Sequence, residues 1–402
     1  MTRSLLAAAL CGLALPALLP TAAHAQADRA SDRARALAQT AIIVDGHVDM
    51  PYRVQVSGAD VGQAVPAHDF DFPRAKAGGL DAPFMSIYVG AAFQGTGGAR
   101  AEADRLIGLV EGQAALHPDK FEIAYSAQDV VRIKKAGKIA LPMGMENGAP
   151  IEGDLANLAH FHKRGIRYIT LAHSRVNHLS DSSYDEERRW GGLSPFGRLA
   201  VAEMNRLGLM VDVSHITDAA FDDVMAVTRA PVIASHSSCR HFTPGFERNM
   251  SDAMIERLGE NGGVIMINFG SSFLTAEANG HRRAMAEAYD AYLADNDLTH
   301  SAEREAAFEA GYQLNKPYPH ADVSDVADHI DRAVELAGID HVGLGSDFDG
   351  VGDTLPEGLK SPADLPNLID ELIDRGYSDG DIVKILSGNL LRVWRAVEAA
   401  AE

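Results

Sequence analysis

The sequence predicts an α/β protein built on a (β/α)8 TIM-type barrel. Short runs of β-branched and apolar residues alternate with longer amphipathic segments, which is the pattern of βα units around a parallel sheet. Eight such runs occur, and eight parallel strands close this kind of barrel. The predicted strands cover residues 41–46, 83–90, 138–146, 166–172, 207–214, 230–235, 263–269 and 341–347.

The first 25 residues predict a secretory signal peptide. Arg3 precedes an apolar stretch over residues 5–19, and Ala-His-Ala at residues 23–25 supplies the small residues of a cleavage site. Cleavage is expected after Ala25. We therefore expect an exported protein, periplasmic or secreted.

Two other interpretations of this N-terminal segment are weaker. A membrane anchor is disfavoured because Pro16 and Pro20 interrupt a stretch already shorter than the roughly 20 residues that span a bilayer. Lipid attachment at Cys11 is disfavoured because Leu10 rather than a small residue precedes it. No membrane anchor is expected after signal cleavage.

The remaining chain, residues 26–402, is expected to form one domain, since it has no repeats or low-complexity linkers. Residues 26–40 predict a charged, alanine-rich helix before the first strand. Later helices end at Gly208 and Gly338, directly before strands five and eight. Residues 271–320 are longer than an ordinary connection and predict a helical insertion, acting as a lid or as an oligomer surface.

Charge and cysteine content exclude several classes of partner and stabilisation. The chain has 56 acidic and 36 basic side chains, a net charge of −20, which repels nucleic acid and anionic lipid. Without the signal peptide only Cys239 remains, so no disulfide can form within the chain. Stability is therefore expected from the core, from a metal or from an oligomer.

Polar side chains follow most of the predicted strands. The active site of a (β/α)8 barrel lies at the carboxyl ends of its strands. Singly, each of these residues fits a structural histidine or a helix cap, but their joint placement predicts a metal site. In strand order they are His47 and Asp49, Glu146, His173, His215, His236 and Asp347.

Three imidazoles and two carboxylates without a thiolate favour zinc, with manganese, cobalt or iron as competitors. Five ligands are too many for one catalytic zinc with an open position, but they suit two ions bridged by one carboxylate. We expect His47 and Asp49 at one ion, His215 and His236 at the other, and Glu146 at both. A hydroxide between the ions would be the nucleophile.

Two further groups fit steps of a hydrolysis. His173 could donate to a carbonyl oxygen as it becomes an oxyanion. Asp347 could take a proton from water and hand it to a leaving amine. Asp349 is better explained by turn chemistry, because a glycine follows it.

An arginine after the sixth strand is a candidate anchor for an anionic substrate end. Arg248 could bind a carboxylate bidentately, or it could be a surface residue that caps a helix. Arg240 and His241 compete for the same role. Spacing alone leaves this assignment open.

Six ordered segments resemble the membrane dipeptidase (renal dipeptidase) family, zinc peptidase family M19, a branch of the amidohydrolase superfamily. The resemblance covers roughly residues 40–397. The segments are "VDGHVDMP", "GMENG", "YITLAHSRVNHLSDSS", "GLSPFGRLAVAEMNRLGLMVDVSH", "PVIASHSSCRHFTPGFERNMSD" and "HVGLGSDFDGV".

The resemblance implies two Zn2+ ions per chain, with Mn2+ or Co2+ as substitutes, on the ligands assigned above. It implies that His173 contacts the substrate and stabilises the tetrahedral intermediate, that Arg248 binds the substrate carboxylate, and that Asp347 shuttles the proton. It also implies a homodimer that cleaves dipeptides, including those with a C-terminal D-residue. Some members of the family open β-lactam rings.

Departures from the family pattern limit what can be transferred. Val48 and Met50 flank Asp49 where the common form has Asn and Leu, and we expect Val48 to point away from the metals. Asn147 stands where many members have glycine, next to Glu146.

The substrate itself remains open at this stage. The same barrel could be a lactonase, a β-lactam hydrolase or an N-acyl amino acid hydrolase, since fold does not fix function, and residues 52–80 would decide between them. A binding protein without catalytic activity is disfavoured, because such a protein has no chemical need for all five metal ligands together with Asp347.

Overall fold

The computed structural model describes residues 30–402. The predicted signal peptide, residues 1–25, lies outside the described residues, as does the beginning of the helix predicted at 26–40. The strands are β1 Ile43–Val48, β2 Leu80–Tyr88, β3 Phe121–Ile123, β4 Ile139–Leu141, β5 Met143–Glu146, β6 Ile166–Thr170, β7 Met210–Asp212, β8 Ile233–Ala234, β9 Val264–Ile267 and β10 Val342–Leu344.

Eight of these strands form a closed parallel barrel in the order β1-β10-β9-β8-β7-β6-β5-β2, and β2 pairs with β1 to complete it. Each predicted strand overlaps one barrel strand, and the closed eight-stranded barrel confirms the predicted fold class. One predicted strand, 138–146, is in fact two. Pro142 separates β4 from β5, because proline has no N–H to donate to a ladder.

The shorter half of that divided strand has a different partner. β4 pairs with β3 in a separate two-stranded parallel sheet, and only β5 joins the barrel. β3 has three residues, too few to show a strand pattern in the sequence.

Helices surround the barrel and connect its strands. They are α1 Asp32–Thr40, α2 Met50–Ser57, α3 Phe72–Gly78, α4 Ala99–Leu116, α5 Ala127–Lys135, α6 Ala156–Arg164, α7 Pro195–Leu207, α8 Asp218–Val227, α9 Asp252–Glu260, α10 Ser271–Leu274, α11 Ala276–Asp295, α12 Ala302–Asn315, α13 Val323–Ala337, α14 Leu365–Asp374, α15 Asp379–Val383 and α16 Asn389–Ala399. As predicted, α7 and α13 are followed by Gly208 and Gly338, at φ 74° and 88°. Between residues 30 and 402, none of the helices has the length and apolar character needed to cross a bilayer.

The amino end of the barrel is closed by apolar packing. Trp394 of α16 is fully buried and lies 5.2 Å from the Phe84 ring, which in turn lies 5.4 Å from the Tyr168 ring. These side chains fill the barrel interior at its amino end. The carboxyl ends of the strands are therefore the accessible end of the barrel.

The predicted insertion at 271–320 is present as α10, α11 and α12. The two long helices pack through aromatic rings, with Phe308 lying 5.4 Å from Tyr289 and 5.3 Å from Tyr292. α12 has no fully buried residue. The hairpin is therefore an addition to the barrel and not part of its core.

Candidate metal centre and active-site cleft

A cleft of about 980 Å³ opens at the carboxyl end of the barrel. Its floor is made by residues that the sequence predicted for the site, and its roof by the helical insertion. The floor includes Asp49, Glu146, His173, His215, His236 and Asp347, and the roof includes Arg282, Met285, Glu305 and Glu309. The insertion therefore lies where a lid would lie.

Glu146, at the end of β5, is the centre of this floor. Its Oε1 atom lies 3.0, 3.3 and 3.5 Å from the Nε2 atoms of His215, His236 and His173. Its Oε2 atom lies 3.5 Å from Nε2 of His47. One buried carboxylate thus faces four imidazoles, which is the position of a bridging ligand.

The two histidines after β7 and β8 present neutral nitrogens. Burial, together with nearby Arg248, lowers the pKa of His215 well below its usual value, and burial together with His47 does the same for His236. Their Nε2 atoms lie 2.8 Å apart. Neutral imidazole nitrogens converging on a carboxylate oxygen form a suitable donor set for a divalent cation.

His47 and Asp49 form the other side of the site. Asp49 Oδ2 lies 3.4 Å from His47 Nε2, a buried atom with no hydrogen-bond partner in the part of the chain that the structure describes. Burial opposes protonation of His47, but Tyr168, Glu146 and Asp49 raise its pKa well above the usual value. A proton or a cation at Nε2 would balance this negative surrounding.

Three overlapping groups of side chains could hold a metal ion, with the ligand atoms of each group within 4.8 Å of one another. The groups are His47, Glu146 and His236; Glu146, His173 and His215; and His47, Asp49 and Asp347. These groups contain all five predicted ligands, and they also contain His173 and Asp347, to which the sequence assigned other roles. The nitrogen and oxygen donors at this place fit a divalent cation.

Tyr168 orients His47 and was not predicted from the sequence. The Tyr168 hydroxyl donates to the Gly46 carbonyl at 3.0 Å and lies 2.9 Å from Nδ1 of His47. It therefore accepts the Nδ1 proton, which leaves Nε2 free to face the site. Its ring crosses β5 at Gly144, where a Cβ atom would lie 1.9 Å from the ring.

A matching contact orients His236. Ser235 Oγ donates to Asp212 Oδ2 at 2.6 Å and lies 2.7 Å from Nδ1 of His236. The Nδ1 proton is thereby held away from the site and Nε2 is directed into it. Asp212 and Ser235 are polar residues inside the apolar runs "LMVDVS" and "VIASHS". That placement was the feature of the sequence that could have indicated their contact.

Asp347 follows β10 and carries a proton readily. Burial is the main cause that raises its pKa, to about 8, and the charges of Asp49 and Glu146 add to it. Asn268 donates to its Oδ2 atom at 2.7 Å. In contrast, Asp349 accepts from the Asp69 amide at 2.7 Å while its own amide donates to the Asp69 carboxylate. Asp349 thus ties its loop to the loop that contains Asp69, a long-range contact that turn chemistry did not predict, and it also lines the cleft.

Arg248 lies beside the histidines with part of its guanidinium free. Its side chain donates to Ser237 Oγ at 2.7 Å and to the His236 carbonyl at 2.8 Å, while its buried Nε has no partner among residues 30–402. The two competing residues lie elsewhere. Arg240 forms an ion pair of 2.5 Å with Asp218, and His241 is exposed.

Four non-glycine residues in or beside the cleft have left-handed backbones. Asn147, His215, Asp347 and Asp349 have φ values of 75°, 70°, 64° and 68°. Such values are uncommon for residues with a Cβ atom and cluster at functional sites. Each of these residues ends or follows a barrel strand, so the unusual turn sets the direction of its side chain.

The two departures from the family pattern lie away from the cleft. The Asn147 side chain is fully buried and donates to the Val89 carbonyl at 2.8 Å, so it holds the loop and does not face the substrate space. Its positive φ suits the glycine of other members. Val48 is fully buried in the apolar core, as expected of a side chain that points away from the metals.

Tyr168→Phe is expected to weaken metal binding by about 10- to 100-fold, because it removes the acceptor that fixes the His47 ring. The measurement is a metal titration of the stripped protein, compared with Tyr125→Phe, since Tyr125 is 46% exposed. Unchanged affinity in Tyr168→Phe would show that packing alone orients His47.

Known proteins resemble this chain over most of its length. A family model described as "Membrane dipeptidase (Peptidase family M19)" matches residues 31–402. The dipeptidase aclJ of Aspergillus oryzae is 37% identical over 338 residues, which are 82% of this chain and 70% of that protein.

Solved structures agree with the barrel. The probable dipeptidase PvdM from Pseudomonas aeruginosa superposes with a TM-score of 0.81 at 30% identity, covering 92% of this chain and 98% of that one. A metallo peptidase from Rhodobacter sphaeroides, liganded with a phosphinate mimic of the dipeptide L-Ala-D-Ala, has a TM-score of 0.73 at 25% identity, covering 89% and 99%.

Proposed function

The chain belongs to the membrane dipeptidase family, peptidase family M19, as six sequence segments indicated, and from this premise we propose that it is a dizinc dipeptidase. The observation that carries the proposal is Glu146, whose two oxygens face four imidazole nitrogens at 3.0–3.5 Å. Such a carboxylate has the place of a ligand shared by two ions. Manganese or cobalt would be accepted by the same oxygen and nitrogen donors.

In the proposed site His47 and Asp49 would hold one ion, His215 and His236 would hold the other, and Glu146 would serve both. When bound, paired divalent cations supply a hydroxide nucleophile from water near neutral pH and stabilise the charge that develops on the carbonyl oxygen. The Tyr168 and Ser235 contacts keep the ligand nitrogens directed inward.

The protein's own side chains then account for binding and proton transfer. Arg248 binds the substrate's C-terminal carboxylate with its free Nε edge. His173, whose side chain is 20% exposed, is accessible to substrate and donates to the carbonyl oxygen. Asp347 takes the proton from the attacking water and passes it to the leaving amine.

Substrate length and stereochemistry follow from the same arrangement. Because Arg248 requires a free carboxylate next to the metal centre, a longer C-terminal extension would displace that carboxylate, and two-residue substrates are proposed. A C-terminal D-residue is proposed as well, supported by the L-Ala-D-Ala mimic bound to the Rhodobacter sphaeroides protein. We further propose that the mature protein acts as an exported homodimer.

A substrate panel tests this function. The metal-loaded protein is assayed on L-Ala-L-Ala, L-Ala-D-Ala, their C-terminal amides, a tripeptide, a β-lactam and a lactone, with and without chelator. We expect hydrolysis of the two free dipeptides, lost on chelation. Turnover of the β-lactam or lactone without any dipeptide cleavage would overturn the proposal.

Arg248→Ala should lower kcat/KM on dipeptides by about 30-fold or more, mainly through KM, since loss of a buried charged partner costs about 2 kcal/mol or more. The ratio of activity on free and amidated dipeptides checks the mechanism, because the variant should no longer distinguish them. Arg206→Ala is the control, since Arg206 is paired with Glu203 on α7 and does not line the cleft. An undiminished preference for the free carboxylate in Arg248→Ala would exclude this arginine as the anchor.

A further inference from the structure

The roof of the cleft contains an arginine without a counter-ion. Arg282, on the first part of α11, lines the cleft. Its Nε atom is buried without a hydrogen-bond partner, and its guanidinium forms no ion pair with any carboxylate among residues 30–402. Arg282 as a whole is half-buried, so the rest of its side chain is partly accessible from the cleft. A guanidinium that faces a cleft without a carboxylate partner can bind an anionic ligand through its N–H groups.

Acidic residues on the neighbouring helix do not neutralise Arg282. Glu305 and Glu309 of α12 line the same cleft. However, Glu305 lies 3.8 Å from Nε2 of His300, and Glu309 accepts from the Gln313 amide at 3.1 Å. Neither carboxylate forms an ion pair with Arg282, so the roof presents an unpaired guanidinium beside two acidic side chains.

Aromatic rings place Arg282 on the same side of the cleft as Arg248. The Arg248 guanidinium lies 5.3 Å from the Phe273 ring, which packs 5.6 Å from the Phe246 ring. The Arg282 guanidinium lies over that second ring at 5.1 Å. Two arginines therefore flank the Phe273–Phe246 pair: Arg282 lines the cleft, and Arg248 is buried next to the site histidines.

The Phe273–Phe246 pair therefore lies between two possible anion-binding groups, the guanidiniums of Arg248 and Arg282. Under the proposed function Arg248 takes the α-carboxylate of the C-terminal residue. The side chain of that same residue is the part of the substrate that can extend along the Phe273–Phe246 pair toward α11. A guanidinium presents parallel N–H groups that match a carboxylate, and this favours an acidic side chain over a neutral one.

We propose that Arg282 forms a second anion subsite that binds the side-chain carboxylate of the substrate's C-terminal residue, so that dipeptides ending in aspartate or glutamate are the preferred substrate class. The inference rests on the proposed dipeptidase function. Arg282 is a specificity residue on the insertion and takes no part in proton transfer.

The test compares kcat/KM on L-Ala-D-Ala, L-Ala-D-Asp and L-Ala-D-Glu, with the L,L forms alongside, in the metal-loaded protein. The wild type should favour the acidic dipeptides by about tenfold, the value expected for one charge-assisted hydrogen-bonded contact. Arg282→Ala should lose this preference, and Arg282→Glu should shift it toward a C-terminal lysine. Arg283→Ala, at the exposed next position of α11, should keep the wild-type preference.

The possible results separate this inference from the proposed function. Cleavage of neutral and acidic dipeptides with equal kcat/KM by the wild type would overturn the second subsite while leaving the dipeptidase intact. An equal loss on both substrate types in Arg282→Ala would also overturn it, because the arginine would then support the roof as a whole. If no dipeptide of either type were cleaved, the proposed function would fail and the inference with it.

Discussion

Glu146→Gln is expected to lower kcat/KM on dipeptides by about 10³-fold or more, the upper range for loss of one electrostatic stabiliser of the transition state. A carboxylate offers acceptor oxygens on both sides, whereas an amide replaces one of them with an NH2 donor. In Glu146 the two oxygens face different imidazoles, so the amide cannot serve both sides. Bound metal should fall from the two ions per chain of the proposed site to one or fewer, as measured by elemental analysis beside the kinetics.

Thermal stability gives this prediction an independent readout. Metal that binds only the folded chain raises the unfolding temperature by mass action, so chelation should lower Tm in the wild type and much less in Glu146→Gln. Glu260→Gln, an exposed position at the end of α9, is the control and should retain metal, activity and the chelator effect. A Glu146→Gln protein with full metal content and normal turnover would refute the central role of this carboxylate.

Asp347→Asn is expected to reduce kcat by about 10² to 10⁴-fold, the range attributed to a positioned acid or base. The asparagine keeps the size and the contact with Asn268, but it cannot accept and release the proton. KM and metal content should change little. Steady-state kinetics together with metal analysis on the same preparation check both parts.

Metal analysis also decides between two roles for Asp347, since its carboxylate lies in one group with His47 and Asp49. Loss of an ion in Asp347→Asn would make it a ligand and leave the proton transfer to another group. Asp349→Asn is the matched comparison. It should lower Tm more than kcat, because its carboxylate accepts from the backbone of Asp69.

Much of the site could be predicted because its residues end strands of a single barrel. His47, Glu146 and His236 are each separated from the next by 90 residues or more in the sequence. Closure of the barrel nevertheless brings their nitrogen and oxygen atoms within 4.8 Å of one another. Strand ends can be recognised from apolar runs, and the barrel topology then fixes which ends meet. No side-chain geometry was needed for that step.

Contacts across the barrel interior could not be predicted in the same way. Tyr168 lies in the middle of an apolar run, and nothing in the run shows that its hydroxyl crosses β5 to reach His47. That contact depends on strand register and on the missing side chain at Gly144. The division at Pro142 was missed for a related reason, since both halves of the run are apolar and only their partners differ.

The helical insertion at residues 271–320 shows a different limit of prediction from sequence. Its helices are charged on several sides, so periodicity predicts a helix without showing which face meets the cleft. Arg282 and Arg283 are adjacent and identical in type, but one lines the cleft and the other is exposed. Only the packing of Phe246 against Arg282 distinguishes them.

The left-handed backbones at His215 and Asp347 set a limit on protein engineering. Glycine at either position would relieve about 1–2 kcal/mol of backbone strain, yet it would delete a side chain that the chemistry requires. A thermostable variant of this protein should therefore come from the outer helices and surface loops. A design method that scores the backbone alone would select against the active site itself.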